Sequence, residues 1–163
     1  MTGSLPFVPK RVTRTRVQHY AAAPAVVFPL HGPMTEALWA VGWEPEMIHP
    51  ADGALAAGAV FLTRHGGAEA VWVNTAWDPK AGRVEYVHVS QDRDVTELRI
   101  RVSGPEQGPT EVEVTYTWTA LSPAGNAFVE AQTEEDFLRW TGEWEEEMAH
   151  YLRTGRKLAR QSS

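Results

Sequence analysis

The chain has 163 residues, a net charge of −6 and no cysteine. The acidic balance argues against nucleic acid as a partner, because phosphates call for a basic surface. The missing thiols exclude disulfides, thiolate metal sites and a cysteine nucleophile. There is no apolar leader and no long apolar run, which predicts a cytoplasmic protein with no membrane insertion.

Residues 1–9 read as a lead-in and residues 10–160 as one domain. Lys10–Tyr20 is rich in Val and Thr and predicts a first strand, near a sheet edge given its arginines. Pro24 suits a first helical turn and opens a short helix over Ala25–Leu30. A second short helix is expected over Thr35–Val41, with Leu38 and Trp39 turned inward and Gly42 as its stop. Six strands follow: Trp43–His49, Ala59–His65, Glu69–Asp78, Arg83–Gln91, Asp94–Ser103 and Thr110–Leu121. Their connections are short, with Gly66-Gly67 a hairpin signal and Pro79–Gly82 a turn. Short connections imply an antiparallel meander.

The last two strands alternate. Thr96, Leu98, Ile100 and Val102 share one face, as do Val112, Val114, Tyr116, Trp118 and Ala120, whereas Glu97, Arg99, Glu111 and Glu113 share the other. Such a sheet is covered on one side only. The cover is a long C-terminal helix beginning after Thr133. Phe137, Trp140, Thr141, Trp144, Met148, Tyr151 and Leu152 recur with the period of one helix face. Thr133 is a good N-cap, Glu134, Glu135 and Asp136 suit the positive end of the helix dipole, and Gly155 marks the end. Glu143, Glu145, Glu146 and Glu147 fall mostly off the apolar stripe. The fold class is therefore α+β, a curved antiparallel sheet of about seven strands wrapped on that helix, with two short helices after the first strand.

This order resembles the helix-grip fold of the START/Bet v 1-like superfamily, the polyketide cyclase/dehydrase and lipid transport proteins. Val27-Phe28-Pro29-Leu30-His31-Gly32-Pro33-Met34-Thr35-Glu36, then Trp39 and Gly42-Trp43, is similar to the VFPLLCPVRE-like motif of a bacterial subgroup. Tyr116–Ser122 with Gly125-Asn126 resembles its last strand and turn, and Glu143-Trp144-Glu145 with His150–Gly155 its terminal helix. The similarity covers residues 10–158. At Gly32 the subgroup often has Cys, so a thiol role there is excluded in this chain. The resemblance implies an apolar ligand (a lipid, an aromatic or polyketide, or an isoprenoid) in a cavity between sheet and helix. It leaves open a cyclase- or dehydratase-like enzyme, or an interaction domain like the activators of Hsp90.

Aromatic side chains on these elements are the candidate lining: Trp39, Trp43, Trp72, Tyr86, Tyr116, Trp118, Trp140 and Trp144. Taken singly, each of them also fits plain core packing. Alternation puts Trp72, Asn74 and Ala76 on one face, and Val84, Tyr86 and His88 on another. If these faces point inward, Asn74, Tyr86 and His88 reach the cavity. Glu36, His88 and Tyr86 are the candidates for proton transfer, His88 because imidazole titrates near neutrality. Glu36 equally reads as a helix-end carboxylate or the partner of an arginine. His31 and His49 read as loop residues, and His150 as a partner for Glu146. The histidines show no metal-ligand spacing, no phosphate loop occurs, and no cofactor is expected. A small hydrophobic molecule is the expected partner, and an exposed sheet edge leaves a homodimer open.

Overall fold

The computed structural model describes residues 3, 6–65 and 68–160. Its strands are β1 Arg11–Tyr20, β2 Glu46–His49, β3 Val60–His65, β4 Ala68–Asp78, β5 Arg83–Ser90, β6 Asp94–Ser103 and β7 Thr110–Ala120. They form one sheet in the order β1-β7-β6-β5-β4-β3-β2, antiparallel at every pairing. β1 and the short β2 are the two borders. The helices are α1 Pro24–Val27, continued by a 3-10 turn over Phe28–His31, then α2 Pro33–Glu36, α3 Pro123–Glu130 and α4 Glu134–Thr154.

The expected alternation is present. Thr96, Leu98, Ile100 and Val102 of β6 and Val112, Val114, Tyr116, Trp118 and Ala120 of β7 are all buried under α4 and the short helices. On the outer face, Thr13 and Thr15 of β1 pair hydroxyl to hydroxyl with Thr117 and Thr115 of β7, each at 3.0 Å. α4 keeps the predicted ends. The Thr133 hydroxyl accepts the Asp136 amide at 3.2 Å, and Gly155 closes the helix with φ of 69°.

β1 fastens α4 with polar groups. Its inward residues include Arg14, Arg16 and Gln18, and they reach main-chain oxygens near or on α4. Arg14 donates to Gln132 O at 3.2 Å, Arg16 to Leu138 O at 2.7 Å and buried Gln18 to Thr141 O at 2.9 Å. Arg16 also pairs with Glu145 at 2.8 Å, and Tyr20 donates to Gln18 at 3.0 Å. Gly142 makes room for this: a Cβ there would lie 3.0 Å from an Arg16 guanidinium nitrogen.

Several expectations change. The second short helix ends at Glu36 rather than Val41, and Leu38 is exposed while Trp39 is buried. The turn after Glu36 rotates only the indole inward, where it donates to Leu30 O at 2.8 Å. The strand expected from Trp43 starts at Glu46, because Trp43 sits in the preceding turn and donates to Pro33 O at 2.7 Å. The α3 helix was not expected. Gly125-Asn126, read as a turn, lies inside it, with Ser122 as its N-cap accepting the Gly125 amide at 2.9 Å. Glu147, placed off the apolar stripe, is buried, since its carboxylate accepts the Val41 amide at 2.7 Å. Glu146 turns to Arg160 at 3.3 Å rather than to His150. The Gly66-Gly67 signal lies outside the described residues.

Candidate functional site

Between the sheet and α4 lies a cavity of about 320 Å³. β3 and β4 contribute Phe61 and Trp72 to its wall, β5 contributes Tyr86 and His88, and β6 contributes Leu98 and Ile100. β7 adds Tyr116 and Trp118, α4 adds Trp140 and Trp144, and the loops add Trp43 and Gln132. The lining is completed by Glu36, the last residue of α2. The inward facing of the β5 residues is thus decided: Tyr86 and His88 both point into the cavity. Sequence alternation had placed Leu98 and Ile100 on the inner face without naming them as lining. Phe61 and Gln132 carried no sequence signal of their own, because β3 is short and Gln132 precedes the helix.

The wall is a run of touching rings. Phe61 stacks on Trp72 at 5.4 Å and 13°, and Trp43 meets Trp72 edge-on at 5.4 Å. Across the cavity, Tyr116 stacks on Trp118 at 5.4 Å and meets Trp140 edge-on at 5.0 Å. Offset and edge-on arrangements of this kind are favoured by the ring quadrupoles and hold the wall in one shape.

Two predicted residues stand elsewhere. Trp39 packs behind the wall, against Trp144 at 5.6 Å. Asn74 sits at the bulge between β4 and β5, where its amide donates to Ala76 O at 3.2 Å and Glu85 O at 3.0 Å. Both residues are absent from the cavity lining. Their environment is main chain and core, which periodicity could not distinguish from a cavity wall.

Glu36 is the cavity's strongest electrostatic feature. Burial pushes its carboxyl up to about 8, the nearby Glu147 adds to the shift, and a hydrogen bond from Trp144 opposes it. Among the described residues, no Lys or Arg forms an ion pair with it or is among the causes of its shift. The arginine pairing considered for Glu36 therefore does not form. The Tyr86 hydroxyl donates to His31 O at 2.6 Å, so it is already engaged. Burial and the field of Glu36 push the Tyr86 and Tyr116 hydroxyls well up. His31 is not a loop histidine. It is buried in the 3-10 turn, with Nδ1 3.3 Å from Phe28 O, and burial lowers it to about 4. His49, by contrast, is exposed at the end of β2.

His88 stacks on Trp72 with centroids 3.9 Å apart. Burial lowers it to about 4, so it is neutral at pH 7, and its buried Nδ1 has no hydrogen-bond partner among the described residues. The His88–Trp72 pair also borders a second chamber of about 230 Å³, lined in part by Thr63, Ser90, Arg93 and Phe128. Two larger recesses, of about 710 and 650 Å³, lie away from this site. The first is at the turns beside α1, the second beside Val71, Val89 and Leu121. Among the described residues no three His, Asp or Glu side chains gather as a metal site, and no helix is long and apolar enough to cross a membrane.

No family model and no curated protein matches the sequence. Solved structures do match. Norcoclaurine synthase from Thalictrum flavum superposes with a TM-score of 0.66 at 10% identity, covering 94% of this chain and 96% of that one. The protein named Ara h 8.0201 gives 0.63 at 13% identity, over 89% and 99%. DynU16, from the dynemicin biosynthetic locus, gives 0.56 at 18% identity, over 93% of this chain and 49% of that one. Identities this low carry fold and not activity. The chain shares the helix-grip fold of these solved structures.

Proposed function

We propose that this protein binds a small hydrophobic molecule in the cavity between the sheet and α4. The observation that carries the reading is a cavity of about 320 Å³ lined by aromatic rings, with a single buried carboxyl among them. A volume near the lower end of small-molecule sites and a wall of apolar groups with few polar ones suit a compact, ring-sized ligand. Trp43, Trp72, Tyr86, His88, Tyr116, Trp118, Trp140 and Trp144 are the proposed contacts. A synthase and a biosynthetic-locus protein among the structural neighbours support a small organic ligand rather than a macromolecule.

The test uses the neutral dye N-phenyl-1-naphthylamine, which fluoresces on entering apolar sites. Wild-type protein is expected to take it up with saturation at one equivalent. Ile100→Trp, which places an indole into the cavity, is expected to abolish uptake while the circular dichroism spectrum persists. Equal uptake by the two proteins would overturn the reading.

A second reading, cyclase- or dehydratase-like proton transfer, is favoured by one observation: Glu36 holds its proton near neutrality and lines the cavity. It requires that any conversion of a bound compound be lost in Glu36→Gln, and undiminished turnover in that variant would end it.

A further inference from the structure

Resting on the cavity reading above, we propose that the natural ligand is a monocation. It would be a protonated or quaternary amine on an apolar body, its charge held between the Glu36 carboxylate and the faces of Trp140, Trp144 and Tyr116.

The charge inventory of the wall is one-sided. Glu36 is the acid, His88 is neutral, and the lining contains neither Lys nor Arg. A ligand carboxylate or phosphate placed here meets no opposite charge, and its desolvation is uncompensated. Arg14 of β1 is spent on Gln132 O at 3.2 Å, and Arg93 borders the second chamber beyond the His88–Trp72 pair. Arg93 is already neutralised by Asp94 at 2.8 Å, and its guanidinium covers Phe128 at 3.8 Å.

Glu36, in turn, lacks what a buried carboxyl needs. The groups acting on it include Glu147 from α4, a second acid that is itself held by the Val41 amide at 2.7 Å and by Arg160 at 3.9 Å, and Glu36 acts in turn on the uncharged hydroxyls of Tyr86 from β5 and Tyr116 from β7. Among the groups acting on Glu36, Trp144 is a hydrogen-bond donor. An indole N–H donating to a carboxyl supports the ionised form, since bonds to an anion are the stronger ones. The site thus offers half of an ion pair, with its donor in place, and waits for a cation. The rings around it are the second half of the case. Ammonium groups are drawn to ring faces, above all those of Trp, and Trp140 and Trp144 stand side by side with centroids 6.2 Å apart. A neutral alcohol would use the rings but leave the carboxyl protonated and without a counter-charge.

One consequence is a proton balance. The free protein holds a proton on Glu36 at pH 7, since burial lifts the group to about 8. An arriving cation displaces that proton to solvent, so binding releases close to one proton per ligand at neutral pH.

The experiment titrates the full chain by calorimetry with three matched probes: 4-phenylbutylamine, 4-phenylbutan-1-ol and 4-phenylbutanoate. Titrations run at pH 7 in phosphate and in Tris to count protons. The amine is expected to bind about tenfold or more tighter than the alcohol, with the carboxylate weakest and proton release seen with the amine alone. Glu36→Gln is expected to remove the amine's advantage over the alcohol. Trp144→Phe keeps the ring, removes the donor, and is expected to weaken the amine more than the alcohol, which preserves the test should Glu36→Gln not fold. Alcohol binding as tight as amine binding in wild type, or an amine advantage intact in both variants, would overturn the proposal. Dye uptake separates the two levels. If the dye enters and Ile100→Trp blocks it while the amine shows no advantage, the charge assignment alone fails. If the dye does not enter at all, the cavity reading fails with it.

Discussion

The inner face of this sheet meets α4 in two different ways. At the β1 border it is polar and closed: Arg14, Arg16 and Gln18 are spent on main-chain oxygens of the helix and its approach. From β3 to β7 it is aromatic, and it leaves about 320 Å³ unfilled. One border carries the attachment and the rest is free to hold something. Close packing is the rule in protein interiors, so a persistent void needs a helix held off the sheet by contacts placed elsewhere. The hydrogen bonds from β1 are those contacts.

This division predicts that the two regions fail separately. The largest effect is expected from Ile100→Trp, which should eliminate ligand uptake while costing at most about 1–3 kcal/mol of stability, the usual range for overpacking. At the opposite border, Gln18→Leu removes the donor to Thr141 O and the acceptor of the Tyr20 hydroxyl. It should lower the unfolding free energy by about 2–4 kcal/mol, measured by urea titration, because buried polar partners are left unsatisfied. Dye uptake per folded molecule should stay unchanged, and a loss of uptake in proportion to stability would show that the two regions are one.

A smaller effect concerns pH. Glu36 is raised from 4.5 to about 8 in the folded protein, so its contribution to stability is complete below pH 4.5 and is lost as pH rises towards 8. His31 and His88 run the other way. Lowered from 6.5 to about 4, they destabilise the fold as pH falls through that window. Relative to Glu36→Gln, the wild type should therefore lose stability between pH 4.5 and 8 with a slope of up to about 1.4 kcal/mol per pH unit. Parallel curves for the two proteins would show that Glu36 is not held in its acid form. The smallest effect is at the helix start. Thr133→Ala removes the cap on Asp136 and should cost about 1 kcal/mol with both regions otherwise intact.

The sequence made the frame readable where period and burial coincide. β6, β7 and α4 each bury one full face, so alternation and the helical repeat expose them directly. Short elements were harder. α2 and β2 span four residues each, too few for a period to register, and the turn between them is shaped by the indole donors of Trp39 and Trp43 rather than by local preference. α3 hid behind a Pro and a Gly that usually mark a turn. In the site, aromatic residues on inward faces were found, but Trp39 and Asn74 show the limit of that logic. Facing inward does not distinguish a cavity wall from the core behind it or from a bulge. Glu36 was legible as a residue of interest and illegible as a charge. That no Lys or Arg among the described residues pairs with it is a property of three-dimensional neighbours, and so is the approach of Glu147 from a helix more than a hundred positions away.

The β1 attachment reads the backbone of α4 and its approach, through Gln132 O, Leu138 O and Thr141 O, with Gly142 as its notch. Carbonyls are the same whatever side chain they carry. Trp140 and Trp144 can therefore be exchanged with the β1 contacts to the helix kept, provided Gly142 and the Arg16 partner Glu145 stay. In a fold of this design, selectivity can drift by substitution on one side of a helix whose berth is kept by the other, which makes α4 the natural place to re-engineer what the cavity accepts.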